Sequence, residues 1–235
     1  MDVRWNLAKR KEGVIVEFLV NRKICTHCSA CVRHCVGGVL ELQDSWPVVV
    51  NEDRCIRCQH CLAICPVGAI SIFGRDPVAS RTDRSFPTPD QMENLLRWRR
   101  SCRDYRHENV NREILDRLLA AMAWVPTGVN DHRLHFSVVD DVTVMDRLRD
   151  EFSGIVLRSI REKTLPASLA SFSGMESSLE LKVDPIFRTA PHLILVSTPP
   201  DAPCAATDPT IALSQFELLA QSFGLGTTWA GLVYL

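Results

Sequence analysis

No run of apolar residues in this chain approaches the roughly 18–20 that a helix needs to span a bilayer, and the charged stretch over residues 1–11 leads into no signal-peptide core. Charge of one sign is missing as well. The 27 lysines and arginines nearly balance the 28 aspartates and glutamates, so there is no global basic field to attract nucleic acid or anionic lipid. The biased composition of disordered or fibrous chains is also absent, with hydrophobic residues at 46% and charged residues at 23%, close to the globular average. These absences leave a soluble cytoplasmic protein, with neither nucleic acid nor membrane as partner, as the expectation. At 235 residues the chain can bury a core as one large domain or two modest ones.

Cysteine is what the chain has in excess. Of its ten cysteines, all but Cys102 and Cys204 fall between Cys25 and Cys65. In a reducing compartment such clustering points to metal rather than disulfides. The spacing is Cys25-x2-Cys28-x2-Cys31-x3-Cys35, and thirty residues later Cys55-x2-Cys58-x2-Cys61-x3-Cys65-Pro66. The same shift superimposes the segments after each set, residues 36–42 on residues 66–72, so one small unit is duplicated: a cysteine loop, a helical turn, a strand. Three thiolates at this spacing wrap one corner of a cubane cluster, while the fourth points away and ligates the cluster of the other half. The expectation is one [4Fe–4S] cluster on Cys25, Cys28, Cys31 and Cys65 and a second on Cys55, Cys58, Cys61 and Cys35. Zinc, the alternative metal, typically takes two separated pairs. Residues 24–73 resemble the bacterial two-cluster ferredoxin, departing from it at Val36, where the first half usually has a proline that shapes the turn.

Three histidines, His27, His34 and His60, sit among the cysteines. Four ligands per cluster are already supplied, so they read as exposed or hydrogen-bonding residues that at most tune potential. Residues 14–20 and 48–50 read as short strands.

Residues 75–88 are polar and proline-rich and read as a connector, which divides the chain into a ferredoxin-like domain at 1–74 and a second domain at 89–235. Thr88 and Pro89 start a helix with Leu95, Leu96 and Trp98 on its apolar side. A second helix spans about 111–124, a strand 135–139, a helix 141–162, a buried strand 192–198, and an amphipathic helix 208–223 ending at Gly224. Helices alternating with few strands describe an α+β layered domain.

Three segments of this domain form a constellation: Arg99-Arg100-Ser101-Cys102-Arg103; Val125-Pro126-Thr127-Gly128-Val129-Asn130; and Gly224-Leu225-Gly226-Thr227-Thr228-Trp229-Ala230-Gly231. Each alone is ordinary: an arginine stretch is most often a solvated face, and the other two are a turn and a helix stop. In this order and spacing the chain from about residue 90 onward resembles the FMN-dependent nitroreductase family, and as a whole it resembles the ferredoxin–nitroreductase fusion proteins of anaerobic prokaryotes. The resemblance implies FMN, held noncovalently at a homodimer interface. Arg99, Arg100, Ser101 and Arg103 would cradle the phosphate with charge-assisted hydrogen bonds. Pro126, Thr127, Gly128 and Asn130 would meet the ring edge, and the backbone of Ala230 and Gly231 would approach the flavin N5. Cys102 and Trp229 read as structural, Cys204 as incidental, and His132 and His135 as surface or strand residues.

The function this implies is electronic. Clusters pass one electron at a time to FMN, which delivers a hydride from N5 to a small organic substrate, nitroaromatic or quinone-like. An external one-electron donor such as a ferredoxin, or NAD(P)H, would supply the electrons. No side chain is assigned a catalytic role. The rival readings are an electron carrier with a docking domain and no substrate chemistry, and a zinc-rich interaction module. Family members continue past the glycine-rich turn with a Gly-Tyr-Pro segment and basic residues, whereas this sequence stops at Val233-Tyr234-Leu235. The expectation is therefore a truncated or shortened relative with a weakened flavin site.

Overall fold

The thirty-residue duplication reappears as a repeated backbone. The structure, a computed structural model, describes residues 15–80 and 85–233, which fall into two units divided between Phe86 and Pro87. The first unit runs through β1 (Phe18–Val20), α1 (Ala30–Arg33), β2 (Leu40–Gln43), β3 (Trp46–Val49), α2 (His60–Ala63) and β4 (Ile70–Ile72). Each cysteine loop reaches its one-turn helix through two residues with positive φ: His27 and Ser29 at 55° and 60°, Arg57 and Gln59 at 56° and 55°. Gly38 and Gly68, at 59° and 65°, then turn each half into its strand, in a conformation that glycine adopts without Cβ strain.

β1 pairs antiparallel with β4, Phe18 opposite Ile72, and β2 forms a hairpin with β3, Gln43 opposite Trp46. The hairpin turns at Asp44 and Ser45, whose φ values of 49° and 69° give the tight turn that matches strand twist. Cys31, Val39, Leu40 and Ile70 form the buried centre. The reading of residues 14–20 as a strand holds for its last part; Val14 lies outside the described residues, as do residues 81–84 of the connector and Tyr234 and Leu235 at the end.

In the second unit a capping box starts α3 (Pro89–Trp98): Gln91 N–H donates to Thr88 Oγ1 at 3.2 Å, and Thr88 N–H donates to Gln91 Oε1 at 2.9 Å. α4 (Arg112–Ala121) begins at Asn111, whose side chain caps Glu113 N–H, and tightens into a 3-10 turn at Met122–Trp124 before Pro126. A second 3-10 turn, Gly128–Asn130, precedes β5 (His135–Val139). Asp141 caps α5 (Val142–Arg161), which is followed by a 3-10 stretch at Ala167–Met175, α6 (Glu176–Glu180), β6 (Leu193–Ser197) and α7 (Asp208–Ser222). α7 ends in a Schellman turn at Gly224, φ 75°, where Leu225 N–H returns to the Ala220 carbonyl at 3.0 Å.

β5 and β6 form an antiparallel ribbon with Phe136 opposite Val196. Phe136, Ile194 and Val196 pack on a core of Leu118, Met122, Val125, Ala212 and Phe216, and Val139 and Leu193 pack on a second core of Met145, Val156, Phe172, Leu179 and Phe187. Burying a side chain such as Leu118 contributes about 1.5–3 kcal/mol. The strand read as buried at 192–198 is only half-buried, with Leu195 46% exposed, because a two-stranded ribbon turns alternate residues outward. Helices with small sheets make the architecture α+β. None of the described helices is long and apolar enough to cross a membrane.

Candidate cofactor sites

Cys65 does not group with the cysteines nearest to it in sequence. It lines one cavity with Cys25, Cys28 and Cys31, walled by Leu42, Pro47, Val67 and Ile70. Cys35 lines a second with Cys55, Cys58 and Cys61, walled by Val16, Val39, Leu40 and Ile72. All eight are free thiols. Among the described residues no three His, Cys, Asp or Glu side chains stand close enough to grip a single metal ion. Four sulfurs around an apolar void match the ligand set of a four-iron cluster.

Burial pushes the Cys31 and Cys55 thiols up and Cys61 up to about 12, so thiolates there require a positive charge of the kind a bound metal would bring. Exposed Cys28 is held below its ordinary value, chiefly by the Ala30 N–H. In both halves a backbone amide reaches the fourth sulfur: Val39 N–H to Cys35 Sγ at 3.4 Å, Ala69 N–H to Cys65 Sγ at 3.1 Å. The three histidines are exposed; His27 Nδ1 meets the Ser45 carbonyl at 2.9 Å, and the rings of His34 and His60 lie 5.8 Å apart.

In the second unit the structure joins two of the three segments. Ser101 forms a parallel bridge with Thr227, and Cys102 N–H donates to the Thr227 carbonyl at 2.8 Å, which lays the arginine segment along the glycine-rich turn. Gly226 is where they touch: a Cβ there would sit 2.8 Å from Cys102 Cβ. Arg100 and Arg103 are exposed, and among the described residues neither forms an ion pair. Arg99 donates to Glu217 Oε1 at 3.0 Å, and Trp229 Nε1 donates to Oε2 at 3.1 Å. The Cys102 backbone and the Trp229 indole thus both tie this region together, with Trp229 itself 46% exposed. Two exposed guanidiniums with no ion pair among the described residues, beside the Ser101 backbone, fit a phosphate, with Arg99 already partly neutralised.

The third segment sits elsewhere. Gly128 N–H donates to both carboxylate oxygens of buried Asp208, at 3.0 and 3.1 Å, and a Cβ on Gly128 would lie 2.4 Å from Cys204 Sγ. This ties the turn to the start of α7, whereas Glu217 and Gly224 hold the glycine-rich turn toward its other end, about 14 Å or more along the axis. Thr127 is half-buried and Pro126 exposed. Val129, Asn130 and His132 all have positive φ, at 48°, 57° and 51°. For β-branched Val129 this is strained, on the order of 1–3 kcal/mol. His132 Nε2 lies 2.8 Å from Asn130 Oδ1 and orients the amide. Ala230 is half-buried and Gly231 exposed.

Sequence reading missed Asp208 and Glu217 as organisers. Asp208 was legible only as a helix start, while the signal for Glu217 is a lone carboxylate inside the apolar run Phe216-Glu217-Leu218-Leu219-Ala220.

The nitroreductase family model matches residues 96–234 and the 4Fe-4S dicluster domain model residues 24–75. The chain belongs to the nitroreductase family, with a 4Fe-4S dicluster ferredoxin domain ahead of the nitroreductase domain. Similar solved structures include a nitroreductase with bound FMN from Bacteroides fragilis, 22% identical over 61% of this chain and 71% of that one, TM-score 0.47. An FMN-dependent nitroreductase from Clostridium difficile is 26% identical over 59% of each chain, TM-score 0.46. A nitroreductase with bound FMN from Desulfitobacterium hafniense is 23% identical over 60% of this chain and 69% of that one, TM-score 0.47. No curated protein matches the chain.

Proposed function

We propose that the protein is a cytoplasmic iron–sulfur flavoprotein oxidoreductase that reduces a small nitroaromatic or quinone-like molecule. The observation that carries the reading is the Ser101–Thr227 bridge, which lays a basic strap on a glycine-rich turn in a chain that also holds two four-thiolate cavities. Cys25, Cys28, Cys31 and Cys65 would hold one [4Fe–4S] cluster, and Cys55, Cys58, Cys61 and Cys35 the other. Arg99, Arg100, Ser101 and Arg103 would hold the FMN phosphate; Pro126, Thr127, Gly128, Asn130, Ala230 and Gly231 would flank its ring. Bound there, the clusters supply one-electron steps and FMN a two-electron hydride.

The chain's own residues bind and orient. Arg100 and Arg103 offer charge, worth about 1.5–3 kcal/mol per hydrogen bond. Asn130, aimed by His132 on a strained turn, presents an amide edge. The attachment of that turn near the start of α7, with the strap toward the other end, supports a homodimer in which each chain completes its partner's site. The test is anaerobic. The purified protein, reduced by a one-electron donor such as ferredoxin or by NAD(P)H, is expected to be reoxidised by a nitroaromatic or a quinone. Reduction without reoxidation by either would make it a carrier.

A further inference from the structure

The duplicated unit is its own control, because each position around one set of cysteines has a counterpart thirty residues away around the other. The cysteines and the segments after them agree, while the positions between differ in charge: Arg22 and Lys23 before the first loop stand where Glu52 and Asp53 precede the second, Arg33 stands where Ala63 does, and Ile24 and His27 stand where Arg54 and Arg57 do. All four of the residues that reverse charge are exposed, as is Arg33. The first loop, with Asp44 at the hairpin tip beside it, carries three cations to one carboxylate; the second has Arg54 and Arg57 against Glu52 and Asp53.

Two of the three cations, Arg22 and Arg33, are also held in place. The Arg22 guanidinium lies 4.9 Å over the Trp46 ring, and that ring meets His27 edge-on at 4.2 Å. Arg33 Nη1 donates to the Cys28 carbonyl at 2.6 Å. The second contact is to Cys28 itself, the exposed cysteine of its cavity, and the first reaches its chain neighbour His27.

We infer that the loop of Cys25, Cys28 and Cys31 is the docking face for an acidic one-electron carrier protein. The inference rests on the reading of the first unit as a two-cluster relay. A carrier is the partner such a face suits. A nicotinamide nucleotide gives up a hydride, two electrons together, which a cluster does not accept, and a small inorganic reductant needs no protein face. The step is a single electron leaving the carrier's reduced centre and entering the centre held by these cysteines, with no bond made or broken and no proton moved. Fixed cations around the exposed edge raise the rate of encounter with an anionic partner by about 10–10³-fold and make it sensitive to salt.

The test uses the full chain, purified anaerobically, and an acidic bacterial two-cluster ferredoxin as probe, with binding followed by fluorescence anisotropy at low and raised ionic strength. Wild-type affinity is expected to fall with salt. Arg22→Glu with Lys23→Glu is expected to weaken low-salt binding by about tenfold or more, and Lys23→Glu alone, whose side chain takes part in no packing contact given by Trp46, to show part of that loss. Glu52→Lys with Asp53→Lys is expected to stay within about twofold of wild type. Binding that survives the first pair, or is weakened by the second, overturns the assignment. Iron, acid-labile sulfide and the rate of dithionite reduction are measured on each protein: a wild-type chain lacking iron and sulfide defeats the relay reading itself, whereas full clusters with undiminished binding of the charge-reversed chain defeat only the docking face.

Discussion

Arg99 and Glu217, 118 residues apart in sequence, meet at 3.0 Å and join the arginine strap to the helix that ends in the glycine-rich turn. Glu217 is nearly buried, and the same carboxylate accepts the indole N–H of Trp229. Glu217→Ala removes the acceptor from Arg99, Trp229 and the Thr227 hydroxyl and is expected to cost about 1–3 kcal/mol, lowering the melting temperature by roughly 2–4 °C per kcal/mol. Glu217→Gln keeps an acceptor and should fall between. Thermal unfolding of the two variants checks the order.

Arg100 and Arg103 predict how the proposed phosphate site fails. Arg103→Ala and Arg100→Ala should each weaken FMN about tenfold or more, by loss of a charged contact. Arg99→Ala should weaken it too, and should also lower thermal stability through the lost Glu217 pair. Flavin retained by dialysed apo-protein after reconstitution gives the affinities; unchanged retention in Arg103→Ala contradicts the cradle.

The crossed cysteines predict a selective loss. Cys65→Ser should damage the cluster built on Cys25, Cys28 and Cys31 and leave the other, so iron should fall toward about four per chain. Loss confined to the cluster of Cys55, Cys58 and Cys61 reverses the assignment, and electron paramagnetic resonance separates the two.

His192 gives the second unit a pH dependence. Its Nε2 accepts the Val110 N–H at 2.8 Å, which requires a neutral ring, and burial holds its pKa below the ordinary value. The unfolded chain binds a proton near pH 6.5 that the folded one resists. Stability from this group is therefore full above about pH 6.5 and is lost as pH falls from there through the folded value. Asp141, held low by Thr143, and Asp146, held low by His107, lose their contribution in a separate window, below about pH 4. Urea titrations should show wild-type stability dropping as pH falls below about 6.5, with the drop reduced in His192→Gln.

Much of the architecture was legible in the chain because it is written in local signals. The Thr88–Gln91 capping box, the Asp141 cap of α5 and Gly224 after α7 each mark an element end. The thirty-residue shift is visible in the repeated loops and one-turn helices, since cysteine spacing and loop geometry repeat together. What could not be read depends on pairs distant in sequence. Asp208 holding Gly128, and Glu217 holding Arg99 and Trp229, require knowing how the ends of α7 are used. The strain at Val129 was hidden for a similar reason: a β-branched residue gives no sign of a left-handed backbone, which its surroundings impose.

The central claim is that one chain carries both kinds of redox group, and one anaerobic preparation tests it. Iron, acid-labile sulfide and extracted flavin are measured per chain alongside the visible spectrum. The account predicts about eight irons, about eight sulfides and FMN released on denaturation. Zinc in place of iron, or iron with no flavin bound even after reconstitution with FMN, would contradict it.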